Sequence, residues 1–98
     1  MKAGFHSAAS EEIVETTAYY EGEVPGLGDR FIAEVERIVE VLCDQPHIGQ
    51  SVGEELRRII LARFPYSLIY SIESERIWVI AFSHQRRLPG YWQERIDR

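Results

Sequence analysis

The chain contains one cysteine and one lysine. Cys43 has no second thiol to pair with, which excludes an internal disulfide and any Cys-x-x-Cys redox or metal site. It follows Leu42 in a helical pattern, so a buried structural thiol is expected. Lys2 is the sole lysine, which leaves every other cationic task to arginine, the side chain suited to planar, bidentate contacts. No apolar run approaches the roughly 18 residues of a membrane span. The start, Met1 to His6, lacks the apolar core of a signal peptide, and a cytoplasmic protein is expected. His6, His47 and His84 lie about forty residues apart, without the compact spacing of metal ligands. Phosphate-loop glycines and a nucleophile elbow are missing as well. Neither a metal nor a small-molecule cofactor is expected.

What is present fits one domain over 1–98. A core of this size supports itself without staples. Net charge is −5, but it is unevenly spread. Residues 1–55 set Lys2, Arg30 and Arg37 against twelve acids, whereas residues 56–98 set eight arginines against Glu73, Glu75, Glu94 and Asp97. Such asymmetry points to a basic face that meets an anion or an acidic partner. With a pI near 5.2, the chain lacks the overall basicity usual for nucleic-acid binding.

Gly4-Phe5-His6 reads as a short edge strand. Ser7 or Ser10 then offers an N-cap oxygen, with Glu11 and Glu12 in the first helical turn. Ala9, Ile13, Thr17 and Tyr20 form one stripe. Pro25 disfavours helix at Val24, so this helix ends near Glu23. Pro25-Gly26-Leu27-Gly28 is a tight turn. A second helix runs to about Cys43, with Phe31, Val35, Ile38, Val39 and Leu42 on one side. Two amphipathic helices on a short connection make an antiparallel hairpin. Gln45 to Gln50 breaks the pattern. Leu56 to Arg63, Tyr66 to Glu73 and Arg76 to Ser83 are strand-like. In the second of these, Tyr66, Leu68, Tyr70 and Ile72 face one way. Ser74-Glu75 serves as a two-residue hairpin turn without the usual Asn-Gly chemistry. The expected fold is α+β: an N-terminal short strand, a helical hairpin, a three-strand antiparallel meander and a C-terminal tail, with the helices on one face.

The tail is the densest stretch: His84-Gln85-Arg86-Arg87-Leu88-Pro89-Gly90-Tyr91-Trp92. Together with Tyr19-Tyr20-Glu21, Pro25-Gly26-Leu27-Gly28-Asp29-Arg30-Phe31 and Arg63-Phe64-Pro65-Tyr66-Ser67-Leu68-Ile69-Tyr70, in that order, it resembles the RelE/ParE superfamily of bacterial toxins. The nearest likeness is to ParE-like chains described as plasmid-stabilisation toxins of type II toxin-antitoxin pairs. The resemblance implies a cognate antitoxin, and a two-toxin, two-antitoxin assembly is plausible on the same ground. It also implies one of two activities. ParE-like members inhibit DNA gyrase; RelE-like members cut messenger RNA on the ribosome.

RNA cleavage through the 2′-hydroxyl needs a base, a cation for the transition state and an acid for the leaving oxygen. Aligned without gaps, a catalytic strand arginine of RelE-like members falls on Ser67, and a strand lysine falls on Ile60. Arg58 keeps the charge of a second lysine. Arg86 matches the arginine after the last strand. Tyr91 lies one residue from the tyrosine position, which Trp92 occupies. With only this partial set, and an acidic chain ill-suited to ribosomal RNA, the reading leans away from an enzyme. A ParE-like toxin is favoured. A ribonuclease using Arg58, Arg86 and Tyr91 is the alternative, and an inactive antitoxin-binding scaffold the third.

The residues expected to bind target or antitoxin are Arg63, His84, Arg86, Arg87, Tyr91 and Trp92. Each also has a plainer role. Arg86 or Arg87 would pair with Glu94 or Asp97. Tyr91 and Trp92 would clamp the tail onto the sheet, the role favoured for them. Arg63 would satisfy carbonyls near Phe64-Pro65. His84 would be a hydrogen-bonded structural histidine rather than a general base. Arg57 and Arg58 alternate faces, so one of them is expected in solvent. Docking surfaces for the antitoxin would be the helical-hairpin groove and the basic sheet end, with an acidic segment covering Arg86 and Arg87.

Overall fold

The computed structural model describes residues 1–53, 55–87 and 90–96. Leu88, Pro89 and Asp97, named above in the tail, lie outside the described residues. Strand β1 (Lys2–Phe5) leads through a single residue into helix α1 (Ser7–Glu23). With so short a link, the capping position falls on His6 rather than on Ser7 or Ser10. The His6 Nδ1 accepts the Ala8 N–H at 3.0 Å, the task a serine or aspartate oxygen performs elsewhere. Because the helix starts at Ser7, Glu11 and Glu12 sit beyond its first turn, where the dipole no longer explains them. The buried stripe is Ala9, Ile13 and Thr16. Thr17, expected on it, is half-buried, since steps of four and three follow the 3.6-residue turn better than two steps of four.

Helix α2 (Leu27–Asp44) returns antiparallel and buries Phe31, Val35, Ile38 and Leu42. The turn between the helices explains two motifs at once. Glu21 of α1 accepts the N–H groups of Gly26 and Gly28, both at 2.9 Å. A carboxylate from one helix thus caps the free amides of the next. Gly26 is left-handed at φ 89°. A Cβ on Gly28 would lie 2.9 Å from the Thr17 carbonyl oxygen and from Glu21, so the helices approach too closely there for any other residue. Cys43 is half-buried against the core rather than enclosed by it.

Beyond α2 the chain forms β2 (Gln50–Ser51), β3 (Leu56–Ile60), β4 (Tyr66–Glu73) and β5 (Arg76–His84). The sheet order is β1-β5-β4-β3-β2. β1 joins parallel to β5, and the other pairs are antiparallel. The meander of β3, β4 and β5 is as expected. The two-residue β2 is an addition, pinned on β3 by a loop whose carbonyls are held from within. Arg57 donates to the carbonyls of His47 and Gly49 at 3.1 and 2.7 Å. The buried Tyr70 hydroxyl donates to Pro46 O and accepts from Gly49 N. Neither Arg57 nor Arg58 is therefore freely solvated; both are half-buried. The Ser74-Glu75 turn has φ 48° and 64°, the doubly left-handed geometry that suits the strand twist.

The helices cover one face, where Phe31, Leu68, Tyr70, Ile77, Val79 and Phe82 join the stripes of α1 and α2. Tyr20, Phe64 and Tyr66 pack against this core. The opposite face carries a smaller cluster of Leu56, Ile69, Ile80 and Ala81, against which Trp78, Tyr91 and Trp92 pack. A β-bulge makes this possible. Ile69 faces Ala81 while Tyr70 faces Val79, so Ile80 is the extra residue. Two consecutive side chains, Ile80 and Ala81, then join the second cluster.

Candidate functional site

β1 pairs with β5 only as far as Val79. Beyond that point the outer edge of β5 has no neighbouring strand among the described residues. Two side chains take the place of one. Glu12, reaching from α1, accepts the Phe82 N–H at 2.9 Å. Arg95, in a short 3₁₀ helix (Gln93–Arg95), donates to the Ile80 carbonyl at 3.0 Å. The two then bond to each other in bidentate fashion, at 3.1 and 2.9 Å. The Tyr91 hydroxyl donates to the same Glu12 carboxylate at 2.9 Å. Arg87 stacks over the Tyr91 ring at 3.8 Å and comes within 3.9 Å of Glu12. Arg95 lies 5.1 Å from the centroid of that ring.

Glu12 is therefore the centre of the tail. Burial pushes its carboxyl up, but hydrogen bonds from Arg95, the Phe82 amide and Tyr91 outweigh that and hold it below its ordinary value. Burial, reinforced by the bond to Glu12, raises the Tyr91 phenol. A phenol held neutral on a carboxylate is a poor base. Neither Glu12 nor Arg95 stood out as a site residue in the sequence. One signal was present: Ala9, Glu12, Ile13 and Thr16 follow the i, i+3, i+4, i+7 pattern of a buried face, and a carboxylate there requires a partner.

Of the three residues of the ribonuclease alternative, one lines a cleft on the second face of the sheet. Arg58 lines a cleft of about 70 Å³ on the second face with Ser67, Ser83, His84, Arg87 and Trp92. Its Nε is buried and meets no acceptor among the described residues. Arg86 and Tyr91 do not line this cleft. Arg86 is exposed, and its guanidinium makes no hydrogen bond or ion pair among the described residues. Arg87 comes near Glu12, far away in sequence; of the nearby acids expected as partners, Asp97 lies outside the described residues. His84 accepts the Arg86 N–H on Nδ1 at 3.0 Å and meets the Tyr66 ring edge-on. That bond places the proton of the neutral ring on Nε2, which then donates rather than accepts.

Arg63 is not part of the cluster of Glu12, Tyr91 and Arg95. It lines a groove of about 870 Å³ between α2 and the β3–β4 connection. On the hairpin, a separate apolar groove of about 520 Å³ is lined by Phe5, Ile13, Val14, Ile32, Val35 and Val39, with Glu36 and Glu40 at its rim.

No helix among the described residues is long and apolar enough to cross a membrane. A family model described as the ParE toxin of the type II toxin-antitoxin system parDE matches residues 4–89. Comparison with curated proteins returns no match. Among solved structures, the chain resembles one described as the chromosomal ParDE toxin-antitoxin system from P. aeruginosa. The two share 17% identity at a TM-score of 0.62, over 86% of this chain and 95% of that one. It also resembles the isolated E. coli RelE toxin, with 17% identity and a TM-score of 0.67 over 95% of this chain and 93% of that one. At such identity these two likenesses concern the fold, whereas the family match spans helices, sheet and the start of the tail. The chain belongs to the ParE toxin family of type II toxin-antitoxin systems, and that membership implies an antitoxin partner.

Proposed function

We propose that this toxin acts without catalysis, by binding a bacterial protein in the cytoplasm, with DNA gyrase as the target. The supporting observation is the state of Tyr91. Its hydroxyl is held on Glu12 beneath two guanidiniums, which supports a clamping role over the proton transfer that the ribonuclease alternative asks of it. That Arg86 is not among the residues lining the Arg58 cleft agrees with this reading. Purified toxin is expected to inhibit supercoiling by purified gyrase; no effect at excess toxin overturns the assignment. Pulse labelling after induction without antitoxin should show loss of DNA synthesis before protein synthesis.

One observation favours the ribonuclease alternative. The cleft keeps two guanidiniums, and the Arg58 Nε has no acceptor among the described residues. Ribosome-dependent cleavage of messenger RNA that disappears in Arg58→Ala would establish it. For the antitoxin, an acidic segment over Arg86 and Arg87 remains the expected cover, these being the exposed cations at the sheet end. The variant Arg86→Glu/Arg87→Glu should weaken antitoxin binding.

A further inference from the structure

Residues 1–55 contain two arginines among twelve acids. Both line the same groove. Arg30 and Arg37 stand seven residues apart on α2, two turns along one face, and Arg63 faces them from the β3–β4 connection. The floor is apolar, formed by Tyr20, Leu27, Phe64 and Pro65 among others. Glu34 is the one carboxylate in this lining, and it is already engaged. It accepts Arg37 Nε and Nη2 at 3.2 and 2.9 Å, and the Ala62 N–H at 3.2 Å. The hydrogen bonds from Arg37 and then Ala62 keep its carboxyl below the ordinary value. Arg30 and Arg63 are exposed, and no described carboxylate bonds to either.

From this geometry we infer that the groove is a docking site for an acidic peptide segment of a partner protein, with aliphatic side chains on the Tyr20–Phe64 floor and carboxylates on Arg30 and Arg63. Charge complementarity selects this occupant. Guanidiniums bind carboxylates in bidentate fashion, and arginine beside aromatics is the composition of interface anchors. A volume near 870 Å³ lies within the range of ligand sites. A nucleic acid fits less well: the Glu34 carboxylate lies in the groove, and the chain carries net negative charge. The site is separate from the gyrase reading, and failure to inhibit supercoiling would leave it standing.

The test is fluorescence anisotropy with a fluorescein-labelled Glu-Leu-Glu repeat peptide and the intact toxin. Saturable binding that weakens with salt is expected. Arg30→Glu/Arg63→Glu should weaken it by about tenfold or more, and Arg30→Gln/Arg63→Gln by less. Since both arginines are exposed, these variants should keep the wild-type circular dichroism and urea midpoint. The exposed-site control Lys2→Glu should leave binding unchanged, and the tail variant Arg86→Glu/Arg87→Glu should weaken it less than Arg30→Glu/Arg63→Glu. The proposal is overturned by absence of binding, by loss in the tail variant alone, or by tighter binding of a labelled oligouridine at the same arginines. Self-association that vanishes in Arg30→Glu/Arg63→Glu would overturn it too, by assigning the groove to a second copy of the chain.

Discussion

The tail clasp gathers two arginines beside an aromatic ring and the α2 groove three, and they differ in what their carboxylate does. In the clasp, Glu12 accepts bonds from Arg95, Tyr91 and the Phe82 amide and lies close to Arg87. Its Arg95 serves the fold, while Arg87 keeps an exposed guanidinium. In the groove, Glu34 is occupied by Arg37 and Ala62, and Arg30 and Arg63 remain open. A density of cations in sequence therefore says little about availability. What decides is where the nearest carboxylate lies in space, and how many donors it already serves.

The comparison can be broken most severely at Glu12. Glu12→Ala removes the carboxylate shared by Arg95, Tyr91 and the Phe82 amide, leaving Arg95 only the Ile80 carbonyl, and should cost roughly 2–4 kcal/mol, between a charged hydrogen bond and a fully buried ion pair. Urea unfolding measures it, and a loss under about 1 kcal/mol would show that the tail is not held by this residue. Next in size is Tyr91→Phe, which keeps the ring between its arginines but deletes the hydroxyl; about 1–2 kcal/mol is expected.

Acid sharpens the contrast further. A carboxyl with a depressed folded pKa contributes stability that is complete above the unfolded value and is lost as pH falls through the folded one. For Glu12 the ordinary value is 4.5, so the clasp is at full strength at neutral pH and weakens in the window below 4.5. Glu12→Gln should flatten the acid limb of the stability curve. The smallest effect belongs to the groove. Glu34→Gln should scarcely move the urea midpoint, because its partner Arg37 is exposed and solvent-screened. If Glu34→Gln destabilised the chain as much as Glu12→Ala, the distinction between the two regions would collapse.

Local pattern made most of the fold legible. Pro25 marked the end of α1, the Phe31-to-Leu42 stripe marked α2, and the alternation from Tyr66 to Ile72 placed one face of β4. The bulge was hidden because Ile77 to Phe82 is apolar throughout, so an extra Ile80 leaves no break in the pattern. β2 was hidden because two residues carry no periodicity. The site was less legible. Arg87, Tyr91 and Trp92 were visible as a cluster; a tail clamp was favoured for the two aromatics, whereas Arg87 was read as a binding residue. Their anchor, Glu12, lies 79 residues from Tyr91, beyond any motif. Arg63 was noticed, but only the fold brings it to Arg30 and Arg37.

The way Glu12 and Arg95 occupy the open edge of β5 bears on how this protein fails. An unpaired edge is a template on which another copy can add a strand. Here the edge lies beside Trp78, Ile80 and Ala81, a stretch with the β-propensity and low charge of fibre-forming segments. Proteolytic trimming before Arg95 would remove the donor on the Ile80 carbonyl and loosen the acceptor on the Phe82 amide. A chain trimmed there is expected to aggregate faster than the intact one, a difference that light scattering after limited proteolysis would measure.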